Sequence, residues 1–301
     1  METLSHCPIC NSTDFDQFLT CTDYTVSHKE FSIDQCRSCG FRFTNPRPSA
    51  NELGSYYKAE EYISHSDSKK GLVNRLYHLV RRYTLIKKLQ LIVRLAGVKL
   101  SASKQKQLLD IGCGTGAFLD ICKRAGFTCK GIEPDGDARE HSIKTYDLDV
   151  KDEPELDNLP KASFEIITLW HVLEHVPLLN DRILQIKQLM NQSGRVIVAV
   201  PNCSSFDAKH YNKYWAAYDL PRHLYHFTPK DIISIFEKNE MKVEQILPMR
   251  FDSFYVSMLS EKYKTGRTNY LKALIIGLIS NVSAIKTGRE FSSQIYVIKK
   301  N

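Results

Sequence analysis

The opening residues, METLSHCPIC, lack the basic region and apolar run of a secretory signal, so the chain is expected in the cytoplasm. Apolar runs long enough to cross a bilayer comfortably are also missing. The most apolar stretch, YLKALIIGLISNVSAI at 270–285, is short and carries Lys272. No transmembrane segment is expected there. Core or lid packing is the first reading of this stretch, and peripheral contact with a membrane surface the second. No internal repeat or low-complexity tract appears, which sets aside solenoids and extended disordered regions. Acidic residues are wholly absent from 69–106, where eleven Lys and Arg stand. Elsewhere 30 of the 41 basic residues face all 34 acidic ones, so the net charge of +7 belongs to this one segment. Such a segment is either a solvated helix face or a surface for anionic lipid, nucleic acid or a phosphate-bearing substrate.

What is present begins with cysteine. Nine cysteines in a chain without an export signal suggest metal ligands and buried thiols, not a disulfide framework. Cys7 and Cys10 form one C-x-x-C knuckle, and Cys36 and Cys39 a second. Four thiolates so spaced suit a tetrahedral Zn²⁺ with no open position, hence a structural ion and a zinc ribbon over residues 1–44. Cys21, His6 and His28 are expected to be spare. The stretch NPRPSANELGSYY opens a linker. Apolar residues at helical spacing (Leu72, Leu76, Leu79, Val80, Tyr83, Ile86, Leu89, Val93) then predict a basic amphipathic helix over 70–97, stopped by Gly97. Residues 45–106 are thus linker and helix. From 107 to 301 strands and helices alternate, which predicts an α/β fold: a parallel sheet with helices on both faces.

The glycine loop LLDIGCGTGAFLD follows a strand and opens a helix. Its core is Asp110, Gly112, Gly114 and Gly116. Ala117 also completes G-x-G-x-x-A, a dinucleotide pattern. Asp110, two residues before the first glycine, opposes a pyrophosphate; it welcomes a cofactor with a cationic amino-acid end. Glu133 ends the next strand in GIEPD, 23 residues after Asp110, where a carboxylate accepts both ribose hydroxyls. LLDIGCGTG, GIEPD and FEIITLWHVLEHV in this order resemble the class I S-adenosylmethionine-dependent methyltransferases, over about residues 107–245. The resemblance implies a Rossmann-like seven-stranded sheet with a reversed final hairpin. It also implies S-adenosylmethionine over the glycine loop, with Glu133 on its ribose.

WHVLEHV at 170–176 contains H-x-x-E-H, which on a helix would be a zinc-peptidase pattern. Here Trp170 and His171 fall at a strand end, where open α/β sheets bind ligands, so the peptidase reading is rejected. Both are expected to line cofactor or substrate. Some relatives in the resembled family hold a divalent metal at Glu-x-x-Glu-His here. This chain has His171 for the first Glu, and a second metal at His171, Glu174 and His175 is the minority reading. The loop YNKYWAAYDLPRHLYHFTP, 211–229, offers His223 and His226 beside Tyr218 and Asp219 as candidate general bases.

The chain is also similar to bacterial sugar C-methyltransferases, which join a four-cysteine zinc domain to this core. In their Glu-His-x-x-Tyr-Phe-Ser loop, His223 takes the catalytic histidine's place, Arg222 replaces the Glu and His226 the Tyr. YISHS supplies their Tyr-x-Ser-x-Ser stretch as Tyr62, Ser64 and Ser66. Their further C-terminal domain has no counterpart here. The resemblance implies methyl transfer to a small-molecule acceptor, such as a nucleotide- or lipid-linked sugar of glycan synthesis. The resulting assignment makes His223 the base, Tyr62 its helper and His171 a third catalytic residue. Rival readings are an RNA methyltransferase gripping phosphates with ribbon and basic helix, and a catalytically inactive cofactor-binding module. TLWH lacks the Asn/Asp-Pro-Pro-aromatic loop favoured by base-amine methylases.

Overall fold

Three short N-terminal strands, β1 (Phe15–Thr22), β2 (Glu30–Cys36) and β3 (Arg42–Thr44), form an antiparallel meander. In the computed structural model, residues 1–57, 72–97, 106–288 and 290–301 are described, 72–77 by backbone alone. Next come β4 (Gln107–Ile111), β5 (Thr128–Ile132), β6 (Val150–Lys151), β7 (Phe164–Trp170) and β8 (Met190–Pro201), paired in parallel. The two-residue β9 (Tyr225–His226) leaves this succession and pairs with β3. Finally β10 (Met241–Pro248) and β11 (Ser293–Lys300) form an antiparallel hairpin, with β11 antiparallel to β8. The large sheet runs β10-β11-β8-β7-β4-β5-β6. This is the seven-stranded Rossmann-like sheet with a reversed final hairpin.

Central strands of a parallel sheet are covered on both faces, so they carry continuous apolar runs. Leu108, Leu109, Ile166, Ile167, Leu169 and Val196 through Val200 are all essentially buried. Helices Ala117–Arg124, Gly136–Tyr146, Leu179–Leu189 and Pro229–Lys238 alternate with these strands, as expected. The last starts where Thr228 and Asp231 cap each other's backbone and Pro229 supplies a pre-set φ. The basic helix runs Leu72–Ala96 and stops at Gly97, whose φ is +61°. Its Leu91 and Ile92 are buried, whereas Leu79, Tyr83 and Ile86 are exposed.

Two findings depart from expectation. The ribbon does not stand apart: β9, from the loop after β8, completes its sheet. Cys7, Cys36, Phe41 and Phe43 share one apolar cluster with Leu109, Ile167 and Leu173 of the large domain. The apolar stretch forms helix Tyr270–Thr287 but buries only Ile276 among its large side chains, so core packing describes one face of the helix and not the whole of it. Its small residues face inward instead, against a helix the sequence reading missed, Asp252–Thr265. Packing there is close: a Cβ on Gly277 would meet Phe254 Cδ1 at 2.6 Å. Among the described residues this is the one helix long and apolar enough to cross a membrane.

Candidate functional site

The site forms at the carboxyl ends of β4, β5 and β7. Parallel register sets Asp110 beside Thr168, whose hydroxyl donates to Asp110 Oδ1 at 2.5 Å. Asp110 is 1% exposed, and burial pushes its carboxyl up to about 7, against the Thr168 hydrogen bond and the Lys88 charge. The backbone then turns back through Gly112, with φ +70°, under the next loop of the site. A Cβ at Gly112 would meet Val172 Cγ2 at 2.4 Å, so this position tolerates only glycine. Gly114 and Gly116 also have positive φ, and Gly116 is the N-cap of helix Ala117–Arg124. Glu133 accepts from the Gly114 amide at 2.7 Å and from the Asp135 amide at 3.0 Å. Each of its oxygens keeps a lone pair for a ligand. Burial raises its carboxyl above the ordinary range.

Trp170 ends β7 with its ring edge-on to Phe118 at 5.4 Å. Its indole Nε1 is buried without a partner. An orphaned buried donor at the end of β7 fits a ligand with acceptor groups. Lys88, from the basic helix, places Nζ 4.1 Å from the Trp170 ring centroid. Burial lowers its ammonium to about 8, opposed by the charges of Asp110 and Asp252. Sequence reasoning left Lys88 among the other basic residues. It sits four positions before Ile92, on the apolar side of the helix, and that register was the available signal.

After Trp170 the chain enters a single 3₁₀ turn, Leu173–His175, instead of a helix. The H-x-x-E-H spacing therefore places no two histidines on one helical face. His171 has φ +58° and sits between two carboxylates. Its Nδ1 lies 3.3 Å from Glu174 and its Nε2 3.2 Å from Asp252. Burial lowers its basicity, but the two acids outweigh that and lift it to about 9. A cationic ring with both nitrogens engaged has no lone pair for a proton; the expected catalytic part of His171 becomes one of holding Glu174. Burial opposes ionisation of Glu174, yet His171 keeps its carboxyl below the ordinary range. Glu174 Oε2 remains buried and unpartnered.

The loop after β8 carries His223 to this point. His223 Nδ1 is 2.9 Å from the Ala217 carbonyl, so Nδ1 carries the proton and Nε2 keeps its lone pair. Its ring meets His175 edge-on at 4.5 Å. His175 Nδ1 lies 2.8 Å from Tyr57 Oη and 3.1 Å from the Arg222 carbonyl. Burial, then His223, lowers His175 to about 4. One ligand atom each from Glu174, His175 and His223 lie within 4.8 Å of one another. A carboxylate with two imidazoles suits a divalent cation as well as proton transfer.

Other expected residues fall elsewhere. His226 is buried in β9, with Nε2 3.1 Å from Thr44 Oγ1, and burial holds its ring well below its usual pKa. Arg222 is 2% exposed and saturated: it grips Asp219 through two nitrogens, at 3.0 and 2.6 Å, and reaches Asp23 of the ribbon at 3.3 Å. It is a tie between ribbon and loop, with no donor left for a phosphate. Tyr62, with Ser64 and Ser66, lies outside the described residues.

The four knuckle sulfurs are within 4.8 Å of one another, with Cys7–Cys39 at 3.6 Å and Cys10–Cys36 at 3.5 Å. A tetrahedron with Zn–S bonds of about 2.3 Å has edges of about 3.8 Å, and a disulfide would bring sulfurs to about 2.05 Å, so the spacing fits the metal. Cys36 is drawn down to about 7, burial opposing and the amide of Cys39 and the thiol of Cys10 lowering it.

Known proteins share this fold. The chain is 25% identical over 182 residues to a ubiquinone biosynthesis O-methyltransferase of Nitrosococcus oceani, covering 55% of this chain and 75% of that one. The magnesium protoporphyrin IX methyltransferase of Synechocystis, solved with S-adenosylhomocysteine, superposes with TM-score 0.56 at 12% identity, covering 84% of this chain and all of the other. A geranyl diphosphate methyltransferase in complex with S-adenosylmethionine gives 0.54 at 14% identity, covering 80% and 95%. Residues 78–246 match the methyltransferase domain family, more than half of the sequence. The chain belongs to that family and is an S-adenosylmethionine-dependent methyltransferase.

Proposed function

We propose that this enzyme methylates a hydroxyl of a small-molecule acceptor, with His223 as general base and a structural zinc in the ribbon. The observation that carries the reading is the His223 Nε2 lone pair, fixed by the Ala217 carbonyl, on a loop packed beside Glu174 and His175. Val172, at Gly112, links that cluster to the donor loop. S-adenosylmethionine rests over the glycines, with its ammonium toward Asp110 and its ribose hydroxyls on Glu133. The acceptor oxygen attacks the sulfonium methyl in line. The O–CH₃ bond forms as the S–CH₃ bond breaks, its electron pair returns to sulfur, and the hydroxyl proton passes to His223. The products are the methyl ether and S-adenosylhomocysteine. Similarity to a ubiquinone biosynthesis O-methyltransferase supports oxygen as the acceptor atom. A nucleotide- or lipid-linked sugar is the acceptor class we consider, and Arg222, spent on Asp219 and Asp23, is not the residue that would bind its phosphate.

The unpartnered Glu174 Oε2 favours one second reading, in which Glu174, His175 and His223 hold a divalent cation. Such an ion would acidify the acceptor hydroxyl as a Lewis acid. Turnover assayed after mild chelation, with ribbon zinc quantified in the same sample, separates the two. Full activity with zinc retained supports the base alone. Activity lost under those conditions and restored by Mg²⁺ or Mn²⁺ establishes the metal.

A further inference from the structure

Helix Tyr270–Thr287 is amphipathic in the reverse of the usual sense. A surface helix of a globular protein turns apolar residues inward and polar ones outward. Here Ala273, Gly277, Ser280, Asn281 and Ala284 are buried, with Ile276 the one large aliphatic residue among them. Ser280 donates to Asp207 at 2.6 Å, and Asn281 to the Arg250 carbonyl at 2.9 Å. Outward stand Leu271, Leu274, Leu278, Val282 and Ile285, between 43% and 70% exposed. Small residues against protein and large aliphatic ones away from it is the arrangement of a helix whose outer solvent is hydrocarbon.

Charge around this face is mostly positive, and Glu290, just past the C-terminal end of the helix, is paired with Lys209 at 3.2 Å. Lys264, Arg267 and Lys286 are exposed near its two ends. Between residues 253 and 288 the one acidic residue, Glu261, is buried and paired with Lys272 at 2.9 Å. The acid-free basic helix joins the same side: its exposed Tyr83 packs edge-on to Phe251, at the start of the helix Asp252–Thr265, at 5.6 Å. Ile285 also lines a pocket of about 290 Å³ with Leu247, Pro248 and Phe291, so the apolar face leads into the edge of the sheet.

We propose that this face docks on an anionic membrane surface, with helix Tyr270–Thr287 lying in the interface plane and the surrounding Lys and Arg on lipid headgroups. One flank is packed on protein, so the helix lies on the bilayer and does not cross it. The inference does not rest on the methyl-transfer chemistry; it adds where that chemistry takes place.

Co-sedimentation with vesicles tests it. The full chain is expected to pellet with phosphatidylcholine–phosphatidylglycerol vesicles and to stay in solution with phosphatidylcholine alone. L274E/L278E, on the exposed stripe, should lose roughly tenfold or more of that binding. K264E/R267E, in the exposed turn, should weaken it in a salt-dependent way. Both should keep wild-type affinity for S-adenosylhomocysteine, which shows that they fold. Failure of wild-type protein to pellet, or equal binding to neutral vesicles, overturns the proposal. So does a lipid-free dimer, seen by light scattering, that L274E/L278E converts to monomer without any vesicle binding.

Discussion

Asp110 concentrates the electrostatics of the donor site. Its carboxyl is raised to about 7 while the cationic donor is absent, and a bound cation favours the ionised form. Affinity for S-adenosylmethionine is therefore expected to fall as pH drops through about 7 and to level off above it. D110N should bind weakly at every pH, with the inflection gone; calorimetry across pH 5.5–8.5 (roughly the range over which the group titrates) reads this directly. H223A should cut turnover by roughly 10²–10⁴-fold and leave donor affinity intact, measured as release of S-adenosylhomocysteine. Near-normal turnover would remove His223 from the mechanism. The positions of Asp110 and Glu133 at strand ends were legible from strand, turn and spacing, whereas His223 was singled out by its loop and by resemblance. Asp252 was not, since it pairs with His171 from a distant helix that carried no motif. The positive φ of His171 likewise depends on a turn that spacing alone cannot reveal, and the ring it directs is held between Glu174 and Asp252.

At the scale of elements, the ribbon supports the acceptor loop. β9 is held on β3, Thr44 Oγ1 donates to the His223 carbonyl at 2.6 Å, and Arg222 clamps Asp23. Loss of the ribbon metal should therefore loosen the loop that carries His223 while sparing the donor site. C36S is expected to contain well under one zinc per chain, to melt at lower temperature, and to lose turnover more than cofactor affinity. Wild-type protein with negligible zinc by elemental analysis would contradict the four-thiolate reading. G112A should fold poorly or bind the donor weakly, since its Cβ collides with Val172 and its φ is left-handed. Such overpacking costs about 1–3 kcal/mol. The knuckles were readable from spacing, but not that a two-residue strand 180 residues on would complete their sheet. The apolar helix was read as one packed element because composition was weighed without its two faces. Ala273, Gly277, Ser280 and Ala284 recur at helical spacing, and that small-residue stripe marked the packed side.

Over the whole molecule, a parallel sheet covered by helices follows from alternation, but the order of its strands does not. The final antiparallel hairpin came from resemblance, because alternation by itself does not reverse a strand. Fold alone does not fix chemistry; the donor site does. The central claim is that Asp110 and Glu133 hold S-adenosylmethionine over the glycine loop. Calorimetric binding of S-adenosylhomocysteine to wild type and E133A tests it most directly. Hydrogen bonds to a charged group contribute about 1.5–3 kcal/mol, so E133A should bind roughly 10- to 100-fold more weakly than a clearly measurable wild type. Wild-type affinity in E133A, or no binding by the wild type, would contradict the account.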